Sequence, residues 1–240
     1  MQETLERIYP DDPQASKLDG AQSIKYHLDR YQFAMEFLKP GLVADRACGS
    51  GYGSKMLACT TSTVIAVDSD QEAINYASSH YSHPSVTFLC ADALNFSWDH
   101  RFQSVVSLET IEHLEDPKTF VKHMSEMLAP GGRFIASAPV TPSMDANPFH
   151  LNDYTSKSFR KLFLDCGLKE TVSKLQIQPY SFFKVTANAS SRKTRANLIS
   201  YYFKNPIKFL LRLKSIFKDG FRNKYLLVVF EKNRDEPPLA

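Results

Sequence analysis

Residues 43–58, VADRACGSGYGSKMLA, decide the fold of this chain. A short apolar segment ends at Asp45, a cluster of small residues follows, and a helix-like segment begins behind that cluster. Gly49 and Gly51 allow positive φ angles and let a ligand approach the backbone closely. The first turn of the helix offers free N–H groups to polar or anionic atoms. The pattern therefore predicts strand, glycine loop and helix, with a ligand site at the carboxyl end of the strand.

The glycine loop alone does not identify the ligand. The dinucleotide fingerprint G-x-G-x-x-G would place its third glycine at position 54, which is Ser54, and the additional glycine is Gly53. A phosphate-binding Walker loop ends in Gly-Lys-Ser/Thr, and the sequence Gly53-Ser54-Lys55 does not fit it. A tight turn without a ligand is the alternative at this stage.

Acidic residues follow three further strand-like segments. Asp68 follows residues 63–67, Asp92 comes soon after residues 86–90, and Glu109 follows residues 103–108. A carboxylate at Asp68 suits a ribose diol because it accepts a hydrogen bond from both hydroxyls. A carboxylate at Asp92 can accept from an adenine amino group. These acids favour an adenosine-containing ligand.

Five segments occur together in one order: ADRACGSGYG, VIAVDSDQEAINYA, VTFLCADAL, VVSLETIEHLEDP and MLAPGGRFIASAP. With them the chain resembles the class I S-adenosylmethionine (SAM)-dependent methyltransferases, and in particular their type-11-like group, over about residues 26–168. The segment NPFHLNDYT is similar to one in methyltransferases that modify sugars and cell-envelope glycans. Two residues depart from the family pattern: Ala47 stands where many members have the first glycine, and Arg46 stands where an apolar residue is usual.

The resemblance implies an α/β fold. We expect a Rossmann-like, seven-stranded, mostly parallel sheet with an antiparallel last strand and helices on both faces. A single methyltransferase domain would span residues 1–240. It would carry an N-terminal lid helix at residues 19–39 and a basic insertion at residues 179–223 between the last two strands.

The resemblance also implies SAM as the cofactor and S-adenosylhomocysteine as its product. Arg30 matches a recurrent family pattern and could pair with the methionine carboxylate, because a fork donor suits that group. A solvated position on an amphipathic helix is the alternative for Arg30. The residues expected to hold the cofactor are Arg30, Asp45, Gly49, Gly51, Asp68, Ser69, Asp92, Ala93 and Glu109.

Methyl transfer from a sulfonium is an in-line displacement that depends mainly on aligning two bound reactants. A hydroxyl acceptor also needs a base, and histidine is the usual one near neutral pH. His150 lies in the expected acceptor loop, with Asp153 or Tyr154 to orient it, and His113 follows the fourth strand. We predict these two histidines as catalytic, with a structural role as the alternative for His113. The spacing of His, Cys and acidic residues indicates no metal site.

The composition fits a single-domain cytoplasmic enzyme. The 240 residues are 43% hydrophobic, and the four cysteines are scattered without a C-x-x-C pair. This argues against a disulfide framework or a zinc site. No apolar segment approaches the length of a membrane span, and the first residues are too polar for a signal peptide.

Basic charge is concentrated in residues 184–224, which contain eleven Lys or Arg and one acid, Asp219. A helix predicted at residues 206–218 combines a basic row, Lys204, Lys208 and Arg212, with apolar residues Phe203, Ile207, Leu210, Leu213 and Phe217. Such a helix can lie peripherally at an anionic membrane. The alternative is that its apolar stripe packs on the protein's own sheet. Nucleic acid ranks lower because no binding motif accompanies the charge.

These patterns predict a SAM-dependent methyltransferase acting on a hydroxyl or amine of a small or glycan-type acceptor, including a lipid-linked or cell-envelope saccharide. One alternative is an N-methyltransferase of an amino sugar or another small metabolite. An NAD-dependent oxidoreductase is disfavoured by Ser54 and by the acid after the third strand. A SAM-binding scaffold without catalysis is the alternative from another functional class.

Overall fold

The computed structural model describes residues 8–11, 18–61, 63–92, 94–144, 147, 149–179, 198–220 and 222–234. Ala93, predicted to contact the cofactor, lies outside the described residues, as does much of the basic insertion.

Seven strands form one sheet in the order β3-β2-β1-β4-β5-β7-β6. Strand β7 runs antiparallel to its neighbours β5 and β6, whereas β1 to β5 pair in parallel. The predicted fold class is therefore confirmed. The strands are β1 (Leu42–Arg46), β2 (Thr63–Asp68), β3 (Val86–Cys90), β4 (Phe102–Leu108), β5 (Leu128–Pro139), β6 (Leu168–Pro179) and β7 (Arg222–Lys232).

Among the described residues, helices precede every strand except β4, which follows β3 without a helix between them. They are α1 (Leu18–Phe37), α2 (Tyr52–Ala58), α3 (Gln71–His80), α4 (Pro117–Met127), α5 (Ser156–Leu164), α6 (Leu198–Lys204) and α7 (Pro206–Asp219), with a short 3₁₀ turn at Ile111–His113. Helix α1 ends two residues before the predicted position 39. Lys39 precedes Pro40, which disfavours the helical conformation there, and its N–H donates instead to Ser104 Oγ at 2.9 Å.

Side chains with oxygen acceptors set where three helices begin. Asp70 accepts from the Glu72 N–H at the start of α3, and Asp116 accepts from the Thr119 N–H at the start of α4. Thr155 does the same for α5 through the Ser158 N–H. Each of these bonds satisfies one of the N–H groups that a helix start leaves unpaired.

The sheet buries apolar side chains on both faces because neighbouring residues of a strand point in opposite directions. In β1, Ala44 joins the cluster under α4 and α5, and Val43 joins the cluster under α1 and α2. Phe163 of α5 stacks on Phe230 of β7 with ring centroids 4.2 Å apart. This core fixes the strand ends, from which the loops of the site extend.

Helices α6 and α7 lie in the sequence between β6 and β7. The alternative that the apolar stripe packs on the protein's own sheet is wrong for most of its members. Phe203 is 89% exposed, Ile207 72%, Leu210 63% and Phe217 88%. Instead, the basic side chains Lys208 and Arg212 face the body of the protein, where Lys208 Nζ lies 2.7 Å from Asp153 Oδ2.

None of the helices in the part of the chain that the structure describes combines the length and the apolar character needed to cross a bilayer.

Candidate active site

A cavity of about 400 Å³ opens at the carboxyl ends of the parallel strands. Its walls come from α1, the glycine loop after β1, the segments after β4 and β5, and the start of β7. Ligands of open α/β sheets bind at this edge. Six of the predicted site residues line the cavity: Arg30, Gly49, Asp68, Glu109, His113 and His150.

The glycine loop is shaped by close packing as well as by φ. Gly49 has a φ of 57° and nothing within 4 Å of the place where a Cβ would stand, so its backbone faces open space beside the cavity. Gly51 has a φ of 88°, and a Cβ there would lie 2.5 Å from the Ala77 side chain. Gly49 therefore leaves room for a ligand, and Gly51 lets the loop pack against α3.

Gly53, one position before the third glycine of the dinucleotide fingerprint, lies against helix α1. A Cβ at this position would lie 1.9 Å from the Tyr31 ring. The absence of a side chain at Gly53 thus lets α1 pack on α2, and the Tyr31 hydroxyl reaches Asp45 below the loop.

Asp68 combines a structural and a ligand-facing position at the end of β2. One carboxylate oxygen accepts from the Gly49 N–H at 2.9 Å, and the other accepts from the Asp70 N–H at 3.0 Å. The same carboxylate lines the cavity, where a carboxylate can accept from a ligand hydroxyl. The neighbouring Ser69 is exposed and does not line the cavity.

Asp45 lies under the loop and does not line the cavity. Its carboxyl is fully buried and accepts from Ser54 Oγ at 2.6 Å. Burial raises the pKa of Asp45 to about 7. Asp45 therefore ties the strand to α1 and α2, while its predicted contact with the cofactor amino group stays a prediction.

Asp92 is exposed and also does not line the cavity. One of its carboxylate oxygens accepts from the N–H groups of Leu94 and Asn95, at 2.8 and 3.2 Å, and so closes the turn after β3. Its predicted contact with adenine stays a prediction.

The charged guanidinium of Arg46 lies under the turn that follows β3. The guanidinium lies 4.3 Å from the centre of the Phe96 ring, and its Nη2 donates to the Asp92 carbonyl at 3.5 Å. Burial lowers the pKa of Arg46 to about 10, which still leaves the group protonated at neutral pH. Arg46 therefore supports the β3 turn from inside the fold.

Arg30 brings a guanidinium from α1 into the cavity wall although only 2% of the residue is exposed. It lies 4.3 Å from the centre of the Tyr225 ring, and its Nε donates to Gln176 Oε1 at 3.1 Å. Its Nη2 is 3.6 Å from Glu109 Oε2. Its Nη1 has no hydrogen-bond partner among the described residues. A buried donor of this kind favours an anionic ligand group, and the prediction of a solvated Arg30 is wrong.

Glu109 is held in an uncommon conformation, with a φ of 53°. Ser137 on the neighbouring strand fixes it twice: Ser137 Oγ accepts from the Glu109 N–H at 3.1 Å and lies 2.6 Å from Glu109 Oε1. The carboxylate thereby reaches both the cavity and Arg30. A non-glycine residue at positive φ is uncommon and often marks a functional position.

His113 and His150, the two predicted catalytic residues, lie side by side in the cavity wall, with ring centroids 4.7 Å apart. His113 Nδ1 is 3.1 Å from the Phe149 carbonyl and can only donate to it, which leaves the lone pair on Nε2. His150 Nδ1 is 2.8 Å from Ser143 Oγ. Burial and then the neighbouring His113 lower the pKa of His150 to about 4. His150 is therefore neutral at physiological pH.

Glu112 joins this pair, which sequence spacing did not indicate. It is 1% exposed, and its carboxylate and the ring nitrogens of His113 and His150 lie within 4.8 Å of one another. A carboxylate with two imidazoles is a donor set for a divalent cation such as zinc or manganese. The prediction from sequence spacing that the site holds no metal stays a prediction.

Asp153 does not contact His150, contrary to one expectation for it. It accepts from the N–H groups of Ser143 and Met144, at 2.8 and 3.1 Å, and from Lys208 Nζ. Burial alone would raise the pKa of Asp153. The hydrogen bond from Lys208, those from the Ser143 and Met144 N–H groups and the charge of Lys208 together outweigh burial and hold the pKa below its usual range. Asp153 thus positions His150 indirectly, through Ser143.

Sequence reasoning missed two further cavity residues. His27 on α1 is neutral, because burial and then Arg30 lower its pKa to about 3. Arg212 of α7 reaches the cavity and donates to the Pro142 carbonyl at 2.8 Å. In the sequence, the segment HLDRY at residues 27–31 was the signal for His27. The row of basic residues before and within α7 was the signal for Arg212.

Comparisons with known proteins place this Rossmann-like fold beside methyltransferases. Residues 44–136 match a family model described as a methyltransferase domain. A protein of Mycobacterium tuberculosis, described as a probable S-adenosylmethionine-dependent methyltransferase, is 31% identical over 153 residues, which are 59% of this chain and 55% of that protein. The chain thus spans about half the length of the curated relatives that it matches first.

Solved structures share the fold at low sequence identity. The YcgJ protein of Bacillus subtilis superposes with a TM-score of 0.66 at 16% identity and covers 86% of this chain and 99% of that one. The N-methyltransferase NodS of Bradyrhizobium japonicum, in complex with S-adenosyl-L-homocysteine, has a TM-score of 0.60 at 15% identity, with 91% and 94% covered.

Proposed function

We propose that this protein is a SAM-dependent methyltransferase. The observation that carries the proposal is a single cavity lined by Asp68, by the open backbone at Gly49 and by the buried fork of Arg30. Asp68 suits a ribose diol and Arg30 suits an amino-acid carboxylate. SAM and S-adenosylhomocysteine carry both groups on one molecule. The matched methyltransferase segment and the SAH-bound structural relative support the same assignment.

Calorimetric titration of the purified protein with SAM, S-adenosylhomocysteine and NAD tests the cofactor. We expect saturable binding of the first two and none of NAD. Binding of NAD alone would replace the proposal with an oxidoreductase. Tight SAM binding without methyl transfer to any acceptor would favour a scaffold that has lost catalysis.

For the acceptor we propose a hydroxyl of a glycan, such as a lipid-linked or cell-envelope saccharide. Five uncharged polar side chains line the cavity together with the histidines, as a polyhydroxyl acceptor requires. They are Thr141, Ser143, Asn147, Gln178 and Asn223. The similarity of the NPFHLNDYT segment to glycan-modifying methyltransferases supports the same class of acceptor.

Transfer of a ¹³C-methyl group from SAM to saccharide fractions of a cell envelope tests this acceptor. The NMR shift of the product methyl distinguishes an O-methyl from an N-methyl group. An N-methyl product would favour the alternative of an amino sugar or another small amine, the class of reaction that NodS's name describes for that protein.

His150 is the proposed base for a hydroxyl acceptor. The acceptor oxygen attacks the methyl carbon, the C–S bond breaks with its electrons staying on sulfur, and the acceptor proton passes to His150 Nε2. The low pKa of His150 makes it neutral but also a weak base. We expect His150→Ala to lower kcat by about 100-fold without changing the Kd for SAM. An unchanged kcat in His150→Ala would show that His150 is not the base.

The cluster with Glu112 favours a second mechanism at the same place. A divalent cation held by Glu112, His113 and His150 would lower the pKa of a bound acceptor hydroxyl and so remove the need for a strong base. Turnover that a chelator abolishes and manganese restores would support the cation. Turnover that is insensitive to a chelator would leave His150 as the base.

A further inference from the structure

The two helices between β6 and β7 present large apolar side chains to solvent. Phe203 of α6 and Ile207, Leu210 and Phe217 of α7 are between 63% and 89% exposed, and we call them the outer face. Within α7, Ile207, Leu210 and Phe217 are three and then seven residues apart, which places these three along one side of that helix. Scattered exposed apolar residues are ordinary, but a contiguous group of this kind marks an interaction surface.

The orientation of α7 is fixed by its polar side. Lys208 Nζ lies 2.7 Å from Asp153 Oδ2, and Arg212 donates to the Pro142 carbonyl at 2.8 Å. Both contacts join α7 to the loop after β5 that carries His150. The helix therefore turns the side with Lys208 and Arg212 towards the protein and the side with Ile207, Leu210 and Phe217 away from it, which is the reverse of a helix that packs its apolar side on the core.

Positive charge borders the outer face. Lys204, Lys214 and Lys218 are exposed, and residues 198–218 contain no Asp or Glu. Lys214 lies between Leu210 and Phe217 in the helical spacing. Lysines beside an apolar face can extend their ammonium groups to anionic headgroups while the methylene stems stay in apolar surroundings.

We propose that the outer face docks on the surface of an anionic lipid bilayer. An interfacial helix buries its apolar side at the acyl boundary and gains from attraction between its lysines and anionic headgroups. A second copy of this chain fits less well, because a two-fold contact would oppose the same lysines across the interface. The surface lies beside the cavity, since Arg212 of the same helix lines it.

Docking in this orientation places the cavity at the membrane. The helix would lie between the bilayer and the loop that carries His150, so an acceptor with a lipid anchor could enter from the headgroup layer. This consequence rests on the proposed function. The docking itself does not, and its test involves no methyl transfer.

Flotation of the full chain with phosphatidylcholine vesicles containing roughly 30 mol% phosphatidylglycerol tests the proposal at physiological salt. We expect the protein to float with these vesicles, and to stay at the bottom of the gradient when the vesicles are pure phosphatidylcholine. The double variant Phe203→Ser/Phe217→Ser should reduce the bound fraction at least about tenfold, because it removes two large apolar side chains from the interface. Its melting temperature should not fall, since both rings are almost fully exposed.

Leu164→Ser is the matched control, because Leu164 is 50% exposed on α5 and lies outside the outer face. It should float like the unaltered protein. Lys214→Glu/Lys218→Glu should bind the anionic vesicles more weakly. No flotation of the unaltered protein, or equal flotation of the Phe203→Ser/Phe217→Ser variant, would overturn the proposal. A dimer in sedimentation equilibrium that this variant dissociates, without flotation, would assign the outer face to a second copy instead.

Discussion

Arg30 is the residue that separates the proposed cofactor from other adenosine ligands. Its guanidinium is buried between Tyr225, Gln176 and Glu109, and its Nη1 lacks a protein partner among the described residues. Arg30→Gln should weaken binding of S-adenosylhomocysteine about 10- to 100-fold, because hydrogen bonds to charged groups contribute about 1.5–3 kcal/mol. It should leave binding of 5′-methylthioadenosine unchanged, since that molecule lacks the carboxylate. Calorimetric titration measures both.

The matched control for this variant is Arg160→Gln, which removes an arginine that pairs with Glu170 away from the cavity. Equal weakening of both ligands by Arg30→Gln would contradict the assigned role and indicate a general distortion of α1.

Asp68 makes a second prediction at the residue scale. Asp68→Asn removes the charge that would accept from the ribose hydroxyls and should raise the Kd for SAM about 10- to 100-fold. Asp116→Asn alters a carboxylate that caps α4 outside the cavity and should leave the Kd unchanged. Because Asp68 also accepts from two backbone N–H groups, thermal unfolding of each variant separates loss of binding from loss of the loop.

Asp45 predicts a pH dependence of stability. Burial raises its pKa from 3.8 to about 7 in the folded protein. At pH values between these two pKa values, the Asp45 carboxyl of the folded protein holds a proton that the unfolded chain has released. The contribution to stability is therefore full below the unfolded pKa and is lost as the pH rises through the folded pKa.

The variant Asp45→Asn should remove this dependence. The free energy of unfolding in urea, measured at about pH 5 and at about pH 7, should fall with pH less steeply in the variant than in the unaltered protein. The same slope in both proteins would assign the titration to another group.

At the scale of elements, the strand, glycine loop and helix at residues 43–58 could be predicted because their signals are local. Turn-forming residues, the apolar strand and the helix start all lie within a few positions of one another. The cap residues Asp116 and Thr155 are local signals in the same sense. The packing role of Gly53 could not be predicted from its sequence neighbours, because its partner Tyr31 belongs to another helix.

Gly53→Ala should therefore destabilise the packing of α1 on α2. The added methyl would lie 1.9 Å from the Tyr31 ring, so the ring or the helix must shift, at a cost of about 1–3 kcal/mol in unfolding free energy. Urea unfolding measures the loss. Gly220→Ala is the control: its φ is positive but nothing lies within 4 Å of the added methyl, so it reports backbone strain alone. No loss of stability in Gly53→Ala would mean that α1 can move away freely.

At the scale of the whole molecule, the mostly parallel sheet could be predicted from the alternation of strands and helices, and its antiparallel last strand from the resemblance to the methyltransferases. The cluster of Glu112, His113 and His150 could not be predicted in the same way. It depends on how the loop after β5 folds back on the 3₁₀ turn, where the Leu151 N–H donates to the Glu112 carbonyl at 2.8 Å. The placement of Arg46 under the β3 turn and the outward apolar side of α7 are likewise set by tertiary contacts.

Lys208 links α7 to the loop that carries His150, which makes a prediction at this scale. Lys208→Met breaks the contact with the part-buried Asp153. We expect faster limited proteolysis within residues 206–219 and an unchanged Kd for SAM, because the cofactor part of the cavity does not depend on α7. Lys214→Met, which alters an exposed lysine of the same helix, should leave the proteolysis rate unchanged. Equal rates of proteolysis in Lys208→Met and Lys214→Met would show that α7 is held mainly by other contacts.

A crystal structure with S-adenosylhomocysteine would show directly whether the cavity holds the cofactor. We predict the ribose hydroxyls on the Asp68 carboxylate, the amino-acid carboxylate on Arg30 Nη1, and the sulfur directed to the part of the cavity between His113 and His150. A bound ligand that lies elsewhere, or one that leaves Asp68 and Arg30 without contact, would contradict the assignment of this cavity as the cofactor site of a methyltransferase.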